Sequence, residues 1–404
     1  MKGHFYKPHC KCDKNKKCTC GASWSFILDV GIDPKTGKRK QKKKGGFRTK
    51  SEAEKAAALL VTELSQGTYV EEQNITFEEF SKEWLRGYES TGKVKVSTIR
   101  VRLHEISRLT PYFEKLKMKN ITRKQYQEAL DELKSKGFSD NTLDGVHRTG
   151  RMIFKKAIEL NVIKNDPTQY AQVPKVQKTI DELEQEEENV KYLEKEQLAL
   201  FLQIAKVHGL DRDYLIFKTL AFTGMRAGEL CALKWRDIDF EQHTISITRT
   251  YYNPTNNTLE YQLLTPKTKS AKRTIEVDPD LLTELSIYRE YQNNLRERYI
   301  ETYHDKDFVF ARSERNLGYP EFIKTIENRM ARILKISELN ISLTPHSLRH
   351  THTSLLAEAG VPLQDIMDRL GHKDDATTKN VYLHVTKPKK KEASQKFSEL
   401  MRSF

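Results

Sequence analysis

The chain has 404 residues, of which 37% are hydrophobic and 31% charged, and it carries a net charge of +14. That length exceeds one ordinary core and suits two or three domains, and the share of aliphatic and aromatic residues excludes a wholly disordered chain. No stretch approaches the roughly 18 apolar residues that cross a bilayer, and the start MKGHFYKPHCKCDKNKK has no apolar run behind its basic residues, so a cytosolic protein with no membrane partner is expected.

The charge is unevenly placed. Residues 1–50 hold fifteen Lys and Arg against Asp13, Asp29 and Asp33, a net of +12. A block this dense beside structured sequence points to a polyanion, because each phosphate neutralised releases condensed counterions; the plainer reading is a solvated charged face. Residues 23–30 (SWSFILDV) and 38–47 (KRKQKKKGGF) read as strands joined by the turn IDPKTG. Thr49 or Ser51 then caps the helix SEAEKAAALLVTELSQG, which Gly67 ends. A sheet-plus-helix module over 1–68 follows.

Cys10, Cys12, Cys18 and Cys20 form C-x-C-x5-C-x-C in this module. In a cytosolic chain the pattern disfavours disulfides and suggests thiolate ligands for a structural zinc, although the usual zinc spacing is C-x2-C or longer. The alternative is a set of thiols in a basic tail, with His4 and His9 as extra ligands or bystanders. Cys231, inside a Leu-rich helix, reads as core.

From Thr76 to about Asp166 the pattern is helical, with Phe77, Phe80 and Trp84 on one face, and a bundle of about four helices is expected over 74–172. Residues 173–190 hold Pro174 and the acidic run DELEQEEEN and read as a linker. A mixed domain is expected over 191–386, with strand-like runs at 243–250, 259–265 and 272–277 set among helices. The tail over 387–404 has a basic run and then Phe397, Leu400 and Met401 at helical spacing.

Near the C-terminus TPHSLRHTHTSLLAEAG places Thr344 as a cap and Pro345 at the first helical position, so that His346 and Arg349 share one face. A lone His-x-x-Arg pair is more often a capped surface helix with a salt-bridging Arg. Here it stands between LAFTGMRAGELCALKWRDID, which contains Arg226, and LGHKDDATTKNVYLHV, where His372 precedes Tyr382 by ten residues. These segments resemble the tyrosine recombinases of the lambda-integrase type, whose ordered motifs are T-G-x-R-x-x-E-L, a hairpin Lys, H-x-L-R-H, and L-G-H with a following Tyr.

The resemblance covers 190–390 and, more loosely, the bundle before it. It implies that Tyr382 is the nucleophile, that Arg226 and Arg349 clamp the phosphate, that His346 and His372 hydrogen-bond or transfer protons, and that Glu229 supports from behind. For the hairpin lysine, TPKTKSAKRTIEV offers Lys267, Lys269, Lys272 and Arg273; Lys269 fits best and Lys267 next. Transesterification needs a nucleophile, stabilised non-bridging oxygens and an acid for the leaving 5′ oxygen, and this set supplies them without metal or ATP.

The resemblance also implies an overall class: a multidomain, mainly α chain with a small N-terminal α+β arm-binding module, a helical core-binding bundle and a mixed α/β catalytic domain with a small antiparallel sheet. In that scheme Lys38, Arg39, Lys40, Lys42, Lys43 and Lys44 meet arm-site DNA, the bundle and catalytic domain grip the core site, and the C-terminal tail docks on a neighbouring protomer of a tetramer. A directionality factor and a host DNA-bending protein are implied partners, and the phage or conjugative nature of the element stays open. The implied activity is site-specific integration of a mobile element, and whether the same enzyme also excises it stays open. A type IB topoisomerase shares the transesterification, and a DNA-binding accessory protein that lost the chemistry is the reading from another class.

Overall fold

The computed structural model describes residues 3–8, 10, 12, 20–32, 37, 39–66, 73–176, 179, 192–266, 271–371, 376–385 and 401–402. The chain divides into two compact units, Met1–Gln177 and Lys178–Phe404.

The first unit begins with an antiparallel sheet in the order β1 (Gly3–Tyr6), β2 (Trp24–Ile32), β3 (Arg39–Phe47). On β2 the alternation of side chains sends Phe26 and Leu28 inward, where they meet Ala53 and Ala57 of α1 (Lys50–Ser65). Phe5, Trp24, Phe47, Leu60 and Val61 close around these four. Thr49 is the cap: its Oγ1 accepts the Glu52 N–H at 3.1 Å. The hairpin of β2 and β3 follows the sequence expectation. The first strand does not follow from local pattern, because GHFY is too short to display a period of two; its pairing of Phe5 with Phe26 makes it a strand.

Four helices follow as expected: α2 (Phe77–Ser90), α3 (Val96–Phe113), α4 (Arg123–Ser135) and α5 (Asp140–Glu159). Capping boxes start two of them, Thr76 with Glu79 and Thr122 with Gln125. Their apolar stripes bury Phe77, Phe80, Leu109, Phe113, Tyr126, Leu130, Ile153 and Phe154. One buried polar tie crosses this core, with Arg102 donating to both Glu105 (2.7 Å) and Thr149 (2.8 Å), and so joins α3 to α5.

The second unit contains α6 (Lys195–His208), α7 (Asp213–Thr223), α8 (Ala227–Cys231), α9 (Pro279–Arg298), α10 (Ile323–Ile336), α11 (Pro345–Glu358), α12 (Leu363–Leu370) and α13 (Ala376–Val385). Among these lie two small antiparallel sheets: β4 (Ile238–Asp239), β5 (Thr244–Ile247) and β8 (Arg273–Glu276) in one, and β6 (Thr250–Tyr252) with β7 (Gln262–Leu264) in the other. The run 243–250, expected as one strand, is therefore divided between two sheets. Between its halves Arg249 turns to Asp237 at 2.9 Å, and a local alternation pattern carries no signal of that distant partner.

The core of this unit is continuous, from Leu198, Phe201, Phe217 and Leu220 through Ile245, Ile275 and Leu285 to Met330, Ile333 and Leu348. Buried ion pairs anchor its helices: Arg212 to Glu321 at 3.2 Å and Arg329 to Asp213 at 3.0 Å. Cys231 lies in this core, 1% exposed, and burial pushes its thiol well above the usual range, as a structural rather than reactive cysteine requires. Among the described residues no helix is long and apolar enough to cross a membrane. Most of the expected linker and of the C-terminal tail falls outside the described residues.

Candidate active site and DNA interface

Three of the sequence motifs meet at Gly224. This residue ends α7 in the left-handed region, at φ +62°, where glycine alone is unstrained. A Cβ there would lie 2.7 Å from His352 Cδ2 and 2.7 Å from Leu370 Cδ2, so the turn before Arg226 is pressed against both α11 and the end of α12. Arg349, 1% exposed, locks the same junction: one Nη donates to the Gly224 carbonyl at 2.7 Å and the other to the Leu370 carbonyl at 2.6 Å. Gly224 stands two residues before Arg226, and Leu370 two before His372. The planar, forked guanidinium is suited to a bridge of this kind, and two carbonyls fix its plane.

Arg226 is the residue immediately before the short α8. Its own N–H donates to Glu229 Oε2 at 3.0 Å and its Nη1 to Glu229 Oε1 at 2.8 Å, which holds the side chain at the helix start while leaving it 39% exposed. Glu229, expected as a supporting group, takes this position. Its carboxyl is buried, which alone would favour the neutral acid, but hydrogen bonds and charge from Arg273, then Arg226, hold it below the ordinary carboxylate range.

His346 is exposed in the first turn of α11, as Thr344 and Pro345 predict. The Thr344 N–H donates to Ser347 Oγ at 3.1 Å at this helix start, and the His346 ring meets His350 edge-on, with centroids 4.7 Å apart. Tyr382 is half-buried on α13, packed on a small apolar cluster of Ala357, Ile366 and Leu370 contributed by α11 and α12. The helix carrying Arg349 and the helix carrying Tyr382 are thus direct neighbours. Lys267, Lys269 and His372 lie outside the described residues; Lys272 is exposed just before β8.

Sequence reasoning missed a second ring of residues. Arg273, noted only as one cation of the lysine turn, donates through Nη2 to Glu229 at 2.9 Å and through Nε to the Arg369 carbonyl at 2.8 Å. His352 donates from Nδ1 to the Ala221 carbonyl (2.8 Å) and accepts at Nε2 from Arg369 Nε (3.0 Å). Burial, then the charges of Arg369 and Arg349, push its pKa down to about 3, so it is a neutral strut. The partners stand 44 and 96 residues from Arg273 in the chain, beyond any local motif.

In the first unit the pleat splits the basic run. Lys42 and Lys44 pair with Leu28 and Phe26 and share the helix side of the sheet; Lys43 pairs with Ile27 and faces the other way. Strand β3 is an edge, so Arg39, Lys40, Lys43 and Lys44 all remain exposed while Lys42 is half-buried. The open face carries His4 and Tyr6 stacked at 5.6 Å, with Lys43 Nζ 5.4 Å from the Tyr6 ring. Lys38 lies outside the described residues. The sulfurs of Cys10, Cys12 and Cys20 all lie within 4.8 Å of one another, and Cys20 and Cys10 are 3.5 Å apart. This cluster between β1 and β2 could hold a metal; Cys18 and His9 lie outside the described residues.

Two arginines held at one glycine turn, a tyrosine on a neighbouring helix and an exposed basic strand are the kinds of group found in the class of proteins that handle phosphodiesters. A family model described as the phage integrase family matches residues 191–389, one described as an arm DNA-binding domain matches 11–64, and one for the SAM-like N-terminal domain of phage integrases matches 76–134. The integrase of Staphylococcus phage L54a is 31% identical over 354 residues, covering 81% of this chain and 94% of that protein. The ICEBs1 integrase of Bacillus subtilis (strain 168) is 26% identical over 388 residues, covering 93% and 97%. Among solved structures, a Tn1549 transposon integrase in complex with transposon right end DNA aligns with a TM-score of 0.58 at 21% identity, covering 80% of this chain and 100% of that one. A lambda integrase tetramer bound to a Holliday junction aligns with a TM-score of 0.54 at 18% identity, covering 88% and 91%. These two show that the fold is shared.

The chain belongs to the phage integrase family, the tyrosine-type site-specific recombinases. It is an enzyme of DNA recombination that integrates mobile genetic elements, and catalysis in this family requires no cofactor.

Proposed function

We propose that Tyr382 Oη attacks the scissile phosphorus, with Arg226 and Arg349 on the non-bridging oxygens. The observation that carries this reading is the position of Arg349, whose two carbonyl partners tie the Arg226 turn to the segment leading to His372 and Tyr382. A phenol with an ordinary pKa near 10 needs its proton drawn off. His346 takes that proton, His372 hydrogen-bonds the phosphate, and Lys269 gives a proton to the departing 5′ oxygen. One phosphodiester is exchanged for a 3′-phosphotyrosyl ester and the reverse step restores it, so resealing needs no ATP.

The assignment is tested with a nicked, labelled duplex carrying the junction of the circular form of the chain's own element, run on a denaturing gel. Wild type leaves a covalent protein–DNA band and Tyr382→Phe leaves none. A band that survives in the variant would reassign the nucleophile.

The domain boundaries set out above follow from the same reading: 1–68 for arm sites, 74–172 for the core site, a linker over 173–190, 191–386 for catalysis, and 387–404 for docking on a neighbour in a DNA-bound tetramer. The exposed cations of β3 support the first assignment. The same reading places the enzyme in the cytoplasm, on the nucleoid when DNA-bound, with a directionality factor and a host DNA-bending protein as accessory partners. Light scattering of the synaptic complex tests the tetramer, which a single protomer per junction would remove. Cys10, Cys12 and Cys20, completed by Cys18, hold a structural zinc. Tetrahedral Zn–S bonds of about 2.3 Å set sulfurs about 3.8 Å apart, comparable with the span found. Metal analysis of the full-length protein should give about one zinc per chain, and far less would end this proposal.

A further inference from the structure

The carboxylate of Glu229 sits between two guanidinium groups of unlike exposure. Arg226, 39% exposed, donates to it on the solvent side; Arg273, 5% exposed, donates to both of its oxygens from within, at 2.9 and 3.4 Å. The glutamate itself is 4% exposed. Taken alone, an Arg226–Glu229 pair is a neutral unit, and a phosphate a few ångströms away would feel its carboxylate almost as strongly as its guanidinium, because a buried environment screens little. The second arginine leaves the trio with one net positive charge.

We infer that Arg273 is a positioning residue for the reaction: it neutralises Glu229 from behind, so that Glu229 can orient Arg226 without cancelling the charge Arg226 presents to the scissile phosphate. Arg273 also holds the Arg369 carbonyl at the end of α12, so the same side chain keeps β8, α8 and α12 in register. The division of labour is electrostatic: Glu229 supplies direction and Arg273 preserves the field, which is worth most where the donors are fixed before the reaction and water is excluded.

The inference rests on Arg226 as phosphate clamp, so Arg226→Gln is the reference. Single-turnover cleavage of the nicked junction duplex is measured for wild type, Arg273→Gln and Arg273→Gln/Glu229→Gln, each checked by thermal melting, on an ordinary phosphodiester and on a methylphosphonate at the scissile position. Loss of one unit of charge near the phosphate is expected to slow Arg273→Gln about 100-fold. The double variant, with no carboxylate left to cancel Arg226, should regain about tenfold. On the uncharged methylphosphonate the Arg273→Gln deficit should shrink to about threefold.

A double variant no faster than Arg273→Gln, or a deficit undiminished on methylphosphonate, would make Arg273 a structural staple and overturn the inference. If Arg226→Gln cleaves at the wild-type rate, the clamp reading falls and this inference with it; a slow Arg226→Gln with either overturning result sinks this inference alone. Should Arg273→Gln not fold, Arg273→Lys keeps the charge and is expected within about tenfold of wild type on both substrates. A loss in that variant as deep as that of Arg226→Gln would equally refute it.

Discussion

The arm module and the catalytic unit place their functional groups by different physical means. In the catalytic unit a continuous core supports three motif segments, and buried hydrogen bonds hold the polar side chains between them: Arg349 through its two Nη atoms on two carbonyls, Glu229 on two arginines, His352 on a carbonyl and an arginine. Among the described residues the arm module buries four apolar side chains, Phe26, Leu28, Ala53 and Ala57, and displays its cations on an edge strand. A core that small contributes little stability by itself and leans on each large side chain and on a staple. The cysteine cluster lies where a staple acts best, between β1 and β2, whose pairing is the least local in the sheet. The difference teaches that the reacting groups need positional precision, obtained from buried hydrogen bonds, whereas a phosphate-tracking surface needs only charge on a frame.

The sharpest break in this comparison is Phe26→Ala. Removing a fully buried aromatic costs about 3–5 kcal/mol, more than the arm module is expected to spare, so arm-site binding should vanish while cleavage of a duplex with only the core site stays within a few-fold. Gel-shift and cleavage assays on the same preparation decide it, and joint loss of both activities would show that the two regions are not energetically separate.

Gly224→Ala acts in the second unit. A left-handed backbone position costs a non-glycine residue about 1–2 kcal/mol and overpacking about 1–3 more, and the new methyl would press on His352 and Leu370. The catalytic unit should melt several degrees lower and cleave at least about 100-fold more slowly, with arm-site binding unchanged. A normal cleavage rate would deny that the Gly224 junction sets the site.

A smaller effect concerns pH. His352 has a folded pKa of about 3 against roughly 6.5 when unfolded, so as pH falls the unfolded chain takes up the proton first. Its contribution is present in full above pH 6.5 and is lost as pH falls from 6.5 toward 3, by about 3 kcal/mol at pH 4. The stability gap between wild type and His352→Gln should therefore narrow across that window; a gap that stays constant in melts from pH 7 to pH 4 would reject the neutral strut.

The smallest expected change is Lys43→Gln. It removes one exposed cation from the open face of the arm sheet, so arm-site affinity should weaken alike on all sequences, and the slope of log affinity against log salt should fall by about one. An unaltered slope would place the DNA on the other face of the sheet, with Lys42 and Lys44.

The sequence by itself determined the family, the order of domains and the identity of Arg226, His346, Arg349, His372 and Tyr382 as candidates, because those depend on short segments whose residue types are dictated by phosphate chemistry and helix caps. It also determined the four-helix bundle and the β2–β3 hairpin, whose apolar periods are long enough to read. Tertiary structure decided what no period encodes: that GHFY is the segment supplying the third strand of the arm sheet, through Phe5 against Phe26, that 243–250 divides between two sheets, and that the basic run presents Lys43 to one face and Lys42 and Lys44 to the other. It alone decided the roles of Arg273, His352 and Arg369, because a buried hydrogen bond across 44 or 96 residues exists only once packing has excluded water and brought its donor and acceptor together.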